Sequence, residues 1–319
     1  MLTPHYIAVD LGATNVRTAR CQPDGTFLAR HRAPSQPHPA ASADEVFIAV
    51  CNAIQAVWPA NAPIAAIGIG SPGPLDPYQG VIIHAPNIPA WRNFPLRDRL
   101  ANHFRVPVTL ENDANCGALG EWRYGAARGY NHILYLSIGT GIGGGFIMHG
   151  QLLRGARGLA TELGMLLIDR TRPQLSDGGY LEDLVAGPAL LRQARAALAA
   201  GQPSLLTTLA DSPDQLTGHH LHQAARAADP LALAILTRAG HTLGQALADY
   251  LHIFNPDIVV IGGGASALGE LLFAPMRAAM QQFTLSPEYW ANLPIVPAAH
   301  GDDAGLIGAL ALVADSTTP

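Results

Sequence analysis

The chain has 319 residues, 49% hydrophobic and 13% charged, with a net charge of −5; this balance supports a large buried core in one large domain or two ordinary lobes. All 19 basic residues are Arg, which excludes a P-loop lysine, and the absence of a basic stripe gives nucleic-acid binding no support. No signal pattern or bilayer-length apolar run is present, and Cys21, Cys51 and Cys116 lack disulfide or metal spacing, so a cytoplasmic protein with no membrane partner and three small buried thiols is expected.

Tyr6–Asp10 reads as a buried strand ending in an acid, followed by a turn at Leu11–Asn15, an alternating strand at Val16–Cys21 and a third strand after the turn Gln22–Thr26. Ala43–Val57 has helical periodicity, Ile64–Ile69 is an apolar strand, and Ser71-Pro72-Gly73-Pro74 breaks into a loop. Pro95–Phe104 is helical. Val106–Leu110 is a strand that delivers Glu111, Asn112 and Asp113 to the start of a helix at Ala114–Trp122. His132–Ser137 and Gly145–His149 read as strands around the glycine run Gly139–Gly145. From Leu181 the chain is mostly helical, through Pro188–Ala200, His220–Ala228 and Leu231–Phe254. A buried strand at Asp257–Ile261 runs into Gly262-Gly263-Gly264, then come a helix at Leu268–Gln282, a short strand at Ile295–Pro297, and a final helix at Leu306–Val313 capped by Gly301-Asp302-Asp303-Ala304-Gly305. The pattern of strand, glycine turn with a polar residue and flanking helices recurs in two halves.

Two features carry chemistry. Asp113 places a carboxylate at a strand-to-helix junction, where it can act as a base or cap the helix. Gly139–Gly145 is a glycine-rich turn whose backbone N–H groups can approach phosphate oxygens. A base plus a phosphate cradle is the minimum equipment for moving a phosphoryl group onto a hydroxyl. The histidines at 219, 220 and 222 read as a solvated helix start rather than a metal site.

Each glycine turn alone is weakly specific; their order is not. Asp10-x-Gly12-x-Thr14, Glu111-Asn112-Asp113, Gly139-Thr140-Gly141-x-Gly143-Gly144-Gly145, Gly262–Gly264 and Gly301-Asp302-Asp303-Ala304-Gly305 occur together with Pro86-Asn87-Ile88-Pro89-Ala90-Trp91 and Gly155-x-x-Gly158-x-Ala160-Thr161-Glu162-Leu163-Gly164. On these residues the chain resembles the ROK family of sugar kinases and repressors, over essentially its whole length. The resemblance implies an α/β, two-lobed actin-like ATPase (ribonuclease H-like) fold with the active-site cleft between lobes, expected here as 1–112 plus 306–319 and 113–305. It implies that Asp10, Gly12 and Thr14 face the ATP phosphates, that Thr140, Gly141 and Gly143 form a second phosphate turn, and that Gly263 and Gly264 lie beside adenosine. It further implies Asp113 as general base, Asn87, Asn112, Glu162 and Glu182 on the sugar hydroxyls, Mg²⁺ with the nucleotide, and a homodimer.

The chain departs from the family at a structural zinc site. The four zinc-ligand positions hold Met165, Pro173, Leu175 and Tyr180, none a competent ligand in place of His and three Cys, so no structural zinc is expected. A small apolar cluster of Met165, Leu175 and Tyr180 is expected instead, orienting Glu162 and Glu182. The function implied is ATP-dependent phosphorylation of a hexose 6-hydroxyl, with glucose first and N-acetylmannosamine, N-acetylglucosamine, fructose or allose as rivals. A non-catalytic sugar-binding or regulatory protein is the alternative class. Family repressors carry a helix-turn-helix ahead of the first motif, and nine residues precede Asp10 here, too few for one.

Overall fold

The computed structural model describes residues 4–12, 14–85, 88–172 and 178–314. In chain order the strands are β1 (His5–Leu11), β2 (Asn15–Cys21), β3 (Phe27–Pro34), β4 (Ile64–Ser71), β5 (Leu75–Asp76), β6 (Val81–His84), β7 (Arg92–Phe94), β8 (Val108–Asn112), β9 (Ile133–Ile138), β10 (Ile142–Met148), β11 (Gln151–Leu152), β12 (Ile258–Gly262) and β13 (Ile295–Pro297). The helices are α1 (Ala43–Gln55), α2 (Leu96–Phe104), α3 (Asp113–Tyr124), α4 (Leu181–Val185), α5 (Gly187–Ala199), α6 (Leu206–Leu209), α7 (Gly218–Arg226), α8 (Pro230–Phe254), α9 (Glu270–Phe283) and α10 (Ala304–Ala311).

The chain divides into two compact units, Met1–Tyr135 with Gly145–Thr161 and Ala298–Pro319, and Leu136–Gly144 with Glu162–Pro297. The first unit extends past the expected boundary at residue 112 because α3 packs on α10. A methyl group at Gly308 would come within 2.2 Å of the Cys116 carbonyl oxygen, and one at Gly120 within 3.0 Å of the Gly308 nitrogen. Only backbone-to-backbone contact fits there.

The first unit is built on a five-stranded sheet of order β3-β2-β1-β4-β8. The β1–β2 and β2–β3 pairs are antiparallel, whereas β1–β4 and β4–β8 are parallel. Strand alternation divides β1 between two cores. Ile7, Val9 and Leu11 join Val46, Val50 and Ile54 of α1 and Leu96 and Leu100 of α2. Tyr6 and Ala8 join Leu306, Ala309 and Leu310 of α10. Each fully buried aliphatic side chain contributes about 1.5–3 kcal/mol. The α10 face sits so close that a methyl at Gly68 would meet the Ala309 carbonyl at 1.9 Å. A small sheet of order β5-β6-β7 completes this unit. None of its strands is legible in the sequence, since two to four residues set no period.

A second sheet has the order β11-β10-β9-β12-β13. Strand β10 starts at Ile142 rather than at the expected Gly145, so the glycine run contributes four residues to a strand and only Gly139, Thr140 and Gly141 to a turn. Of these strands the second unit holds β12, β13 and residues 136–138 and 142–144; it is otherwise mostly helical. Its long helix α8 crosses α9 at Gly240 and Gly244, where added methyl groups would lie 2.6 Å from Pro275 and 2.2 Å from the Met276 carbonyl. The N-cap of α8 is Asp229, buried and accepting from the Ala232 and Leu205 N–H groups at 2.8 and 2.7 Å. Helix α7 starts at a Thr217–His220 capping box, so one of the clustered histidines serves the helix start. All three cysteines are free and buried, as expected. Among the described residues no helix is long and apolar enough to cross a membrane.

Candidate active site

The expected site residues fall in both units. In the first, β1 and β2 form a hairpin with Asp10 opposite Arg17 in register. Asp10 is 9% exposed. Its Oδ2 accepts from Arg17 Nε at 2.7 Å and also from Nη2, while Arg17 Nη1 donates to the Asp302 carbonyl. A methyl at Gly305 would lie 2.5 Å from the Asp10 carboxyl carbon. The last glycine of the Gly-Asp-Asp-Ala-Gly motif is therefore the space that Asp10 occupies. Arg30 pairs with Asp303 through two hydrogen bonds of 2.9 Å, so two arginines hold this turn ahead of α10. Gly12 N–H closes the hairpin onto the Asn15 carbonyl at 2.9 Å, and Thr14 is exposed at its tip.

Strand β8 ends in Asn112, which is the N-cap of α3. Its Oδ1 accepts from the Ala114 and Asn115 N–H groups at 2.9 and 3.2 Å. The cap is thus Asn112, and Asp113 is the first helical residue, exposed, with Oδ1 2.8 Å from the Ala114 nitrogen. A carboxylate there is favoured by the helix dipole. Because the helix uses the Asn112 oxygen, that side chain is left with its amide N–H₂ as a donor.

Two buried glutamates support this region, and the sequence reading gave neither a role. Glu111 is fully buried and accepts from Asn115 Nδ2 and the Asn112 N–H, both at 3.0 Å, and from Arg154 Nε. Glu121 is equally buried and has backbone donors: Ala126 N at 2.9 Å, Ala299 N at 3.0 Å and His300 N at 3.2 Å. It ties the end of α3 to the segment leading into Gly301–Asp303. An acid within the otherwise apolar stretch Cys116–Trp122 was the signal that could have found it.

In the second unit, Thr140 stands exposed on the turn between β9 and β10. A methyl at Gly139 would meet nothing within 4 Å. Gly143 belongs to β10 rather than to the turn. Glu182, on α4, accepts from the Ile142 N–H at 2.7 Å, and its Oε2 would lie 2.5 Å from a methyl at Gly141. That carboxylate holds the turn in place. Gly263 has φ +76°, and a methyl on it would fall 2.4 Å from the Ile138 carbonyl; both conformation and space demand glycine. Gly264 beside it faces open space. The turn thus offers backbone N–H groups, one hydroxyl and room above the glycines, a donor set suited to phosphate oxygens.

Glu162 follows Thr161, whose φ of +68° lies in the left-handed region that β-branched residues avoid. It reaches solvent, yet partial burial of its carboxyl, and secondarily the charge of Glu182, push its pKa above the ordinary glutamate value. Of the expected cluster of Met165, Leu175 and Tyr180, Met165 is 38% exposed and Leu175 lies outside the described residues. A backbone ladder joins the two segments: Leu181 N to Leu166 O at 2.9 Å, Ile168 N to Gly179 O at 3.0 Å, and a bridge between Leu167 and Tyr180. Asn87, Pro173 and Leu175 lie outside the described residues. Among the described residues no three His, Cys, Asp or Glu side chains group as metal ligands. A cavity of about 820 Å³ in the second unit, lined by Arg172, Arg192 and Arg238, includes none of the expected site residues; these sit on turns and helix starts.

Comparison with known proteins gives a consistent picture. A model of the ROK family matches residues 6–316. The chain is 42% identical over 249 residues to a glucokinase of Thermotoga maritima, covering 77% of this chain and 78% of that one. It is 33% identical over 252 residues to a xylose repressor of Caldicellulosiruptor bescii, covering 78% of this chain and 62% of the repressor. Among solved structures, a ROK family glucokinase from Streptomyces griseus in complex with glucose and AMPPNP aligns with a TM-score of 0.80 and 32% identity, over 97% of this chain and 99% of that one.

Proposed function

This chain belongs to the ROK family, and from that premise we propose that it transfers the γ-phosphoryl group of ATP to the 6-hydroxyl of a hexose, glucose first. It is an ATP-dependent sugar kinase with the α/β actin-like ATPase fold. The observation that carries the finer reading is the exposed Asp113 carboxylate in the first turn of α3, beside the Asn112 N-cap.

Phosphoryl transfer asks the protein for positioning and charge neutralisation more than for covalent chemistry. Asp113 accepts the proton of the attacking hydroxyl as bonding to phosphorus develops. Thr140 and Gly141 offer N–H and hydroxyl donors to the phosphates, the Gly139 N–H closing the turn onto the Gly141 carbonyl at 2.9 Å, and Gly263 and Gly264 lie beside the nucleoside. Glu182 serves by holding that turn through Ile142. Glu162, Asn87 and the Asn112 amide are the groups read as meeting sugar hydroxyls. Mg²⁺ arriving with the nucleotide supplies charge neutralisation. Asp10 fits its water shell, because Arg17 takes only Oδ2 and leaves Oδ1 without a protein partner among the described residues. Absence of a structural zinc, a cytoplasmic location and a homodimer belong to the same proposal.

A coupled assay of ADP release over glucose, N-acetylmannosamine, N-acetylglucosamine, fructose and allose tests the substrate. Turnover on one sugar, abolished in Asp113→Asn with sugar binding retained, is the expected result. Full activity in Asp113→Asn rejects the base assignment. The similarity to a repressor favours a second reading, a sugar-responsive regulator; sugar binding with no ADP release from the unaltered protein would select it.

A further inference from the structure

Glu162 projects from a single turn of 3-10 helix, Leu163–Met165. Such a turn has little internal strength: Met165 N bonds the Glu162 carbonyl at 3.0 Å, and Leu166 N reaches the Leu163 carbonyl at 3.3 Å. Its geometry is imposed from outside. The Leu163 side chain lies directly over Gly144, where a methyl would meet it at 2.4 Å, and Gly164 lies against the Ile142 carbonyl, where a methyl would fall at 2.2 Å. These contacts set the distance of the turn from β10. They do not set its rotation, since glycine contacts are non-directional. Directional contacts come from the Leu181 N–H on the Leu166 carbonyl at the far end of the turn and, on the Leu163 end, from α8, where the buried Tyr250 hydroxyl donates to the Leu163 carbonyl.

We propose that Tyr250 is a positioning residue for sugar recognition: through the Leu163 carbonyl it fixes the turn that aims the Glu162 carboxylate. This rests on the reading of Glu162 as a sugar-binding group. Tyr250 is 2% exposed, and burial, then the charge of Asp249, raises its phenol pKa, so it stays a donor throughout the working pH range. No motif of the family resemblance includes it. The side chain reaches across 87 positions of sequence, which makes it a tertiary substitute for whatever a metal-bound loop would do to orient the same turn.

The test is a double-mutant cycle on the purified full-length enzyme, with sugar KM, ATP KM and kcat measured separately. Tyr250→Phe is expected to raise the sugar KM about five- to tenfold, as for one lost hydrogen bond, while ATP KM and kcat stay put. In a Glu162→Gln background the same change should add nothing, because the two residues act in series. Equal loss of kcat for every substrate, or full additivity with Glu162→Gln, overturns the proposal in favour of a purely structural role. If Glu162→Gln itself leaves the sugar KM unaltered, the sugar-site reading falls first. If Glu162→Gln raises it and Tyr250→Phe does not, only the positioning role falls. Should the Phe variant not fold, 3-fluorotyrosine placed at position 250 keeps the shape and changes the donor strength; an unmoved sugar KM then rejects the role.

Discussion

The two units solve the same problem differently. In the first, the functional turns are held by charge: Asp10 by Arg17, Glu111 by Arg154 and Asn115, and the Ala299–His300 segment by Glu121. In the second, the turns are held by shape, with Gly263 on Ile138, Gly144 under Leu163 and a backbone ladder from Leu166 to Leu181. Glu182 adds a charged support there by accepting from the Ile142 backbone N–H. Charge networks tolerate small shifts because Coulomb attraction decays slowly; close glycine contacts tolerate none, because repulsion is steep. On the proposed function, the first unit would carry the base and the second a phosphate turn whose N–H vectors must not drift.

The largest expected effect lies on the charge side. Asp113→Asn should lower kcat by about 100- to 10,000-fold with little change in sugar affinity, read by the ADP-release assay beside a binding titration. Gly263→Ala tests the shape side. It forces a left-handed φ on a side chain with the Ile138 carbonyl at 2.4 Å, and should cost about 1–3 kcal/mol in urea denaturation while raising the ATP KM. Glu121→Gln keeps volume and removes charge from three backbone donors. A loss of about 1–3 kcal/mol is expected, and an unchanged midpoint would show that the charge anchors in the first unit are dispensable.

The mildest test is a pH profile. Glu162 has a folded pKa above the ordinary 4.5, from burial and then from Glu182. A raised carboxyl pKa means the folded state binds the proton more tightly, so its contribution to stability is present at low pH and is lost as pH rises through the folded value. Sugar hydroxyls need the ionised acceptor. The sugar KM should therefore climb as pH falls through that raised value, and Glu162→Gln should abolish the limb. A limb that persists in Glu162→Gln assigns it to another group.

Much of the framework was legible in the residues. The long α8 was expected at Leu231–Phe254 and is found at Pro230–Phe254, because 25 residues of 3.6-residue periodicity ending in a left-handed Asn255 leave little choice. The β1–β2 hairpin and the strand-to-helix step at Asn112–Asp113 were equally plain. The glycine run was only half read: composition marked a turn, but Gly143, Gly144 and Gly145 lie in β10 because neighbours need the space a side chain would fill. The segments around Met165 and Tyr180 meet through backbone bonds, which any side chain could make and which leave no mark in the sequence.

By itself the sequence determined which residues could do chemistry and which stretches were helix or strand, because both are written in short-range spacing. Only the tertiary structure decided how the buried polar groups are satisfied. Arg154 meets Glu111 across 43 positions, Tyr250 meets Leu163 across 87, and Arg17 meets Asp302 across 285. Partnerships at such separations leave no local pattern; they arise because a buried polar group must find a partner wherever the folded chain places one.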